Sequence, residues 1–270
     1  MDFHKHIINM ISDVLTKDGI KDELKLYHAL RIVSKYRSQL IANTLIVQNG
    51  LSVRSGPFAG MKMPRQVSEG CFVPKILGSY EQELHQIIQR CASTAYDAVI
   101  NIGCAEGYYA VGLALLMPQT NIWAYDINSA AQDACRNLAV DNGVSSRIII
   151  GGHFKGEDFQ NFEQKKVLVV CDIEGAELNL LDPAKFPALR NFDILVELHD
   201  VFNATTSEQL LHRFVSSHNI EKIEMGVRNL GNFPELAKFE HLDQLLAVWE
   251  WRSGPTPWAF LTSKELIKSY

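Results

Sequence analysis

The chain has 270 residues, 47% hydrophobic and 21% charged, a composition suited to one large globular domain with room for a small added element. No apolar run is long enough to cross a bilayer, and charges interrupt the apolar part of MDFHKHIINMISDVLTKD, so neither a membrane partner nor a signal peptide is expected. The net charge of −5 is uneven: residues 1–95 carry twelve Lys/Arg against eight Asp/Glu, and residues 96–270 carry fourteen against twenty-three, an acidic body that argues against a nucleic-acid partner.

Residues 1–50 read as an N-terminal helical extension. Ile7, Ile8, Ile11, Val14 and Leu15 mark one face of a helix over 3–17, and Asp18-Gly19 supplies a stop. A second helix over 22–47 carries Leu26, Leu30, Val33 and Leu40. Two such helices cap a core on the preferred reading; a homodimer contact and a lid over the site are the alternatives.

Residues 51–95 are expected to form a short hairpin, irregular chain and a lead-in helix over 80–91. Arg54, Lys62, Arg65 and Lys75 face one acid, Glu69, which suits a solvated loop or an anion-recognising edge of a substrate mouth. From residue 96 to 270 apolar runs alternate with helical segments. Strands are expected at 98–102, 121–126, 147–150, 167–172, 193–197, 220–225 and 257–262, with helices at 106–117, 129–141 and 206–217. Runs without in/out alternation imply a parallel sheet covered on both faces. An insertion over 226–257, helical across 237–252, interrupts this pattern late, where a substrate-side cover or ordinary core would serve.

Five dispersed cysteines, Cys71, Cys91, Cys104, Cys135 and Cys171, lack a C-x-x-C pair, the pattern of reduced buried thiols in a cytoplasmic protein. The apolar run Ala98–Ile102 breaks at Gly103 and becomes a helix after Gly107, the kind of junction at which nucleotide-type cofactors bind. About twenty residues on, Ile122-Trp123-Ala124-Tyr125-Asp126 ends a second strand in a carboxylate that can accept from both hydroxyls of a ribose. A dinucleotide fingerprint needs G-x-G-x-x-G, whereas here the spacing is Gly103-x-x-x-Gly107 with Glu106 between. Glu106 opposes a pyrophosphate and tolerates a cation, so S-adenosyl-L-methionine fits better than NAD, which stays as a distant alternative.

Asn101-Ile102-Gly103-Cys104-Ala105-Glu106-Gly107-Tyr108-Tyr109 resembles the first motif of class I S-adenosylmethionine-dependent methyltransferases. Val167–Asp172-Ile173-Glu174-Gly175-Ala176-Glu177 resembles the D-x-E-G-x-E signature of the FkbM-type subgroup, and Asp193–His199 resembles its following strand. The resemblance spans roughly residues 70 to 225 and the terminal strand. It implies an α/β fold with a doubly wound, seven-stranded, mostly parallel sheet (Rossmann-like methyltransferase fold) whose last strand is antiparallel. Two departures stand out. Most members have Asp or Glu where this chain has Asn101, and Gly151-Gly152-His153-Phe154 lacks the acid that often marks adenine recognition.

The candidate cofactor-binding residues are Asn101, Gly103, Cys104, Glu106, Gly107, Asp126, Ile127, His153 and Asp172. Catalytic groups must lie beyond the C-terminal ends of the fourth and fifth strands, where Asp172, Glu174, Glu197, His199 and Asp200 fall. Of these, His199, Asp172 and Glu174 are the catalytic candidates, with His199 the general base because its intrinsic pKa lies near neutrality. His153 and His199 match no metal-ligand spacing, and no metal is expected. The expected activity is O-methylation of a hydroxyl on a small molecule, a sugar or secondary metabolite by the resemblance. Methylation of a nitrogen or carboxylate acceptor, and a binding protein that has lost catalysis, are the competing readings.

Overall fold

Seven strands form one sheet in the order β3-β2-β1-β4-β5-β7-β6 in a computed structural model that describes residues 2–64, 71–200, 205–252 and 254–264. They are β1 (Ala98–Ile102), β2 (Asn121–Tyr125), β3 (Ile148–Gly151), β4 (Val167–Cys171), β5 (Asp193–Glu197), β6 (His218–Ile223) and β7 (Trp258–Ser263). The first five pair in parallel, and β7 runs antiparallel between β5 and β6. The chain builds outward from β1 to β3, then returns to place β4 on the other side of β1, and the crevice outside this switch point is where such sheets bind ligands.

Every residue of β1, β4 and β5 is buried, because both faces are covered. Val99, Leu168 and Val170 face one apolar cluster, and Ile100, Val169 and Val196 face the other. Neighbouring residues of one strand thus feed opposite cores, which is why these runs show no alternation.

Helices α1 (Phe3–Thr16) and α2 (Asp22–Asn49) form an antiparallel hairpin joined by a short turn. Asp2 caps α1 by accepting from His4 N–H at 3.1 Å. None of α1's residues is buried. The second half of α2 enters the core through Ile41, Ala42 and Leu45. α2 also grips the late insertion: Arg37 makes a two-pronged ion pair, both arms 2.6 Å, with Asp243 on α9 (His241–Ala247).

Three elements differ from the sequence expectations. The short hairpin is present as an antiparallel pairing around the Ser52–Lys62 bridge, with Val53 N–H donating to the Met61 carbonyl at 2.8 Å and Met63 N–H to the Leu51 carbonyl at 2.7 Å, but in the irregular stretch expected after it Phe72–Leu77 is a buried helix, α3, stopped by Gly78 in the left-handed region. A Cβ on Gly78 would meet the Ser55 carbonyl oxygen at 2.0 Å, so only glycine lets these two segments touch. The lead-in helix is one 3-10 turn followed by α4 (His85–Ala92), because Glu81 adopts φ 47°. The 237–252 helix shrinks to α9, which ends at Ala247; beyond it the backbone takes a positive φ, 63°, at Trp251. The helices α5 (Tyr108–Leu116), α6 (Ser129–Asp141), α7 (Glu177–Leu180) and α8 (Thr206–Phe214) complete the layers.

Candidate active site

A cavity of about 970 Å³ opens at the C-terminal ends of β1, β2, β4 and β5. Of the four non-glycine residues with positive φ among the described residues, three (Ala105, Glu174 and Trp251) line it. Backbone strain of this kind costs of order 1–3 kcal/mol per residue and persists where the surroundings enforce it.

One end is the glycine turn after β1. Gly103 has φ +79°, and a Cβ there would lie 1.7 Å from the Asp172 carbonyl oxygen; at Gly107, φ +94°, a Cβ would lie 2.6 Å from Cys135 Sγ. Both glycines are thus required by protein packing: Gly103 lets the ends of β1 and β4 close on each other, and Gly107 seats α5 against α6. Asp126 is built into the same turn, accepting from Ala105 N–H at 2.9 Å and Asn128 N–H at 2.8 Å. Cys104 is buried, Ile127 and His153 are exposed, and all three line the cavity beside Asp126.

Asn101 and Glu106 form the inner wall. Asn101 is 2% exposed; its Nδ2 lies 3.5 Å from the Val170 carbonyl, and its Oδ1 is shut from solvent with no hydrogen-bond donor. Glu106, fully buried, is ion-paired with Lys75 of α3. Burial alone would lower the Lys75 pKa; the Glu106 carboxylate outweighs it and holds the ammonium charged. The same ammonium sits 4.9 Å above the Tyr80 ring and 5.6 Å above the Tyr108 ring.

At the other end the segments leaving β4 and β5 converge. His199 Nδ1 lies 2.9 Å from Glu177 Oε1, while its Nε2 faces Glu197 Oε2 at 3.3 Å, Asp172 Oδ1 at 3.6 Å and Glu174 Oε2 at 3.6 Å. Glu177 is itself fixed, accepting from Ile173 N–H and Gly175 N–H at 3.1 and 3.2 Å. Burial alone would lower the His199 pKa, but the hydrogen bonds to Glu177 and Glu197 outweigh it and raise the pKa to about 10. The ring therefore carries a proton at neutral pH in this arrangement, unlike the near-neutral base expected from its intrinsic pKa. Burial, the Glu197 charge and a hydrogen bond to Glu197 push the Asp172 carboxyl well above its usual range. Glu197 is held down to about 2, against its burial, by His199 and Arg252.

The outer wall comes from segments that sequence patterns do not connect to the site. Arg252 reaches Glu197, and also Glu81 at 2.5 Å and Glu250 at 3.1 Å. Tyr109 donates to Glu81. Trp251 lines the cavity with Lys35 of α2, whose ammonium lies 4.5 Å over the Trp251 ring. The late insertion and α2 therefore both contribute to the wall. The only hint in the sequence is the compact WEWR run, which has the pattern of a helix end.

The remaining expectations separate. Asp200 faces away from the cluster and caps α8, accepting from Ser207 N–H at 2.8 Å and Ser207 Oγ at 2.6 Å. Of the basic loop residues, Arg54 donates to the Leu45 carbonyl at 2.8 Å, Lys62 is exposed, and Lys75 alone lines the cavity. Arg65 and Glu69 lie outside the described residues.

No family description and no curated protein matches the chain. Solved structures of similar architecture include the O-methyltransferase TomG from Streptomyces achromogenes in complex with SAM, 10% identical over 66% of this chain and 78% of that one, with a TM-score of 0.46. An O-methyltransferase from Bacillus cereus in complex with SAH is 11% identical over 95% and 97%, with a TM-score of 0.45. Precorrin-6y C5,15-methyltransferase from Geobacter metallireducens is 12% identical over 66% and 87%, with a TM-score of 0.46. At such distances a likeness brings no chemistry with it, and the chemistry has to come from this chain's own residues.

Proposed function

We propose that this chain is an S-adenosylmethionine-dependent methyltransferase acting on a hydroxyl of a small molecule, of the sugar or secondary-metabolite class. The observation that carries this reading is a single cavity with two unlike ends, a glycine turn with Asp126 at one and a carboxylate–imidazole cluster at the other. The cofactor's fit is supported by Asn101 Oδ1, a sealed acceptor in the cavity wall that an α-ammonium would satisfy. Glu106 lines the same wall, with its charge compensated by Lys75.

On this reading Asp126 accepts from the ribose hydroxyls, and Ile127 and His153 flank the adenine. Gly103, Cys104 and Gly107 shape the turn, and Asn101 with Glu106 and Asp172 surrounds the amino-acid end. When bound, the cofactor supplies an electrophilic methyl group on a sulfonium. The chain's own part is to align an acceptor oxygen with that methyl and keep water out, worth on the order of 7–11 kcal/mol. Asp172, Glu174 and His199 surround the acceptor, whose hydroxyl proton passes into this carboxylate–imidazole cluster as the methyl is transferred. With no cation bound in the cluster, the protonated His199 ring is a positive charge beside these carboxylates.

The FkbM-type placement rests on the run Asp172-Ile173-Glu174-Gly175-Ala176-Glu177. A reducing, cytoplasmic setting is supported by the five buried free thiols, and no helix among the described residues is long and apolar enough to cross a membrane. A second copy of the chain is the partner proposed for the α1–α2 hairpin, where Ile8, Leu15, Leu26 and Leu30 are exposed. Sedimentation tests that contact: a concentration-dependent dimer lost in Leu26→Glu is expected, and a monomeric wild type overturns it.

Calorimetry with S-adenosylhomocysteine tests the function. Binding to the wild type, at least about tenfold weaker in Asp126→Ala, is expected, a loss of roughly one charge-assisted hydrogen bond. A wild-type chain that binds neither S-adenosylmethionine nor S-adenosylhomocysteine removes the reading.

A further inference from the structure

We propose that Asp172, Glu174 and His199 form a binding site for one divalent metal ion, of the class that accepts both carboxylate and imidazole ligands. Asp172 Oδ1 and Glu174 Oε2 come from the turn after β4 and His199 Nε2 from just beyond the end of β5, and such atoms of the three residues all lie within 4.8 Å of one another. Donors bound at roughly 2.0–2.2 Å around one centre are separated by roughly 3.0–4.4 Å, so the observed 3.6 Å spacings need little adjustment. One Nε2–H can serve a single acceptor well, yet three carboxylates face it at 3.3–3.6 Å.

Three independent features point to a ligand at this place. Asp172 Oδ1 is shut from solvent and accepts no hydrogen bond, a costly state unless a cation meets it. Glu177, fully buried and held by two backbone N–H groups, grips His199 Nδ1 and aims Nε2 at the cluster, the outer carboxylate that metal-bound histidines use to fix ring orientation. Glu174 is kept at φ 54°, a left-handed conformation that turns its carboxylate back toward Asp172, two residues earlier. Glu197 remains outside the set of three, engaged by Arg252.

Carboxylate–carboxylate–imidazole sets take Mn²⁺, Fe²⁺ or Zn²⁺ in preference to a purely oxygen-seeking ion. Three protein ligands leave coordination positions open to the cavity. Resting on the methyltransferase reading, the acceptor class is narrowed to molecules that present two adjacent oxygens, such as vicinal diols.

The experiment uses the full chain, stripped with chelator and titrated with Mn²⁺ while free Mn²⁺ is followed by electron paramagnetic resonance. One ion per chain is expected. Binding should weaken at least tenfold in Asp172→Asn and His199→Gln, about 10- to 100-fold in Glu177→Gln, and stay unchanged in His153→Gln. Spin-echo modulation from an imidazole nitrogen should be present in wild-type protein, a readout that needs no variant to fold. Bound Mn²⁺ without that modulation, or uptake equal in wild type and Asp172→Asn, overturns the site. Calorimetry with S-adenosylhomocysteine is read separately. Mn²⁺ binding without it retains the ion site and discards the acceptor class, and the reverse result overturns the ion site alone.

Discussion

Glu177 Oε1 stands 2.9 Å from His199 Nδ1, and both side chains are buried, Glu177 completely. Removing Glu177 takes the acceptor from His199 Nδ1 while Glu197 still faces Nε2, whereas removing both leaves a packing defect. Glu177→Ala should therefore cost about 1–3 kcal/mol, and the double variant with His199→Ala less than the sum of the singles. Urea unfolding of the four proteins measures this; additive costs would show that the contact carries no coupling.

The His199 proton gives stability a pH dependence of known sign. Glu177 and Glu197 outweigh burial and raise the pKa from 6.5 to about 10, so the folded chain holds this proton more tightly than the unfolded chain does. The contribution is complete below about 6.5 and is lost as pH rises through about 10. In chelator-treated protein, unfolding midpoints between pH 7 and 10 should fall more steeply for wild type than for His199→Gln. The ring should titrate near pH 10 by NMR; titration near 6.5 would contradict the arrangement.

Lys75 and Glu106 make a second buried pair, with side chains 5% and 0% exposed. Lys75→Met removes the cation paired with the buried Glu106 carboxylate and should destabilise by about 3–5 kcal/mol, while Lys75→Met with Glu106→Gln should recover much of that. Denaturant midpoints separate these outcomes. A double variant as unstable as Lys75→Met would mean that Lys75 acts through its stem and its contacts with Tyr80 and Tyr108.

What the sequence discloses follows its periods. Runs such as Val167–Cys171, buried on both faces, reveal the parallel sheet, and the strand ends locate Asp126, Asp172 and His199 correctly relative to the cavity. Assembly is less visible. Two residues apart on an extended strand, Asp172 and Glu174 would share a face but stand a full pleat repeat apart; the positive φ of Glu174 bends the second back toward the first, and a non-glycine residue gives no warning of that. Arg252 meets Glu81 across 171 positions of chain, a separation no local pattern spans. Lys75 looks like part of a basic loop because its partner, Glu106, belongs to a motif 31 residues on.

Gly103 offers the sharpest test of how the site is held together. The sequence suggests backbone access for a ligand at this position, yet the nearest atom to an added Cβ is the carbonyl oxygen of Asp172, only 1.7 Å away. Alanine there would also have to adopt φ +79°, a left-handed conformation that costs roughly 1–2 kcal/mol on its own. Relief requires the β1 and β4 ends to move apart, breaking the 3.0 Å bond from Asp172 N–H to the Ile102 carbonyl. Gly103→Ala should thus cost more than about 3 kcal/mol, the scale of overpacking plus strain. It should also shift the amide resonances of Asp172 and Ile173 along with those of the glycine turn. A stable variant perturbed only around Asp126 would mean that the two strand ends are not tied through this glycine.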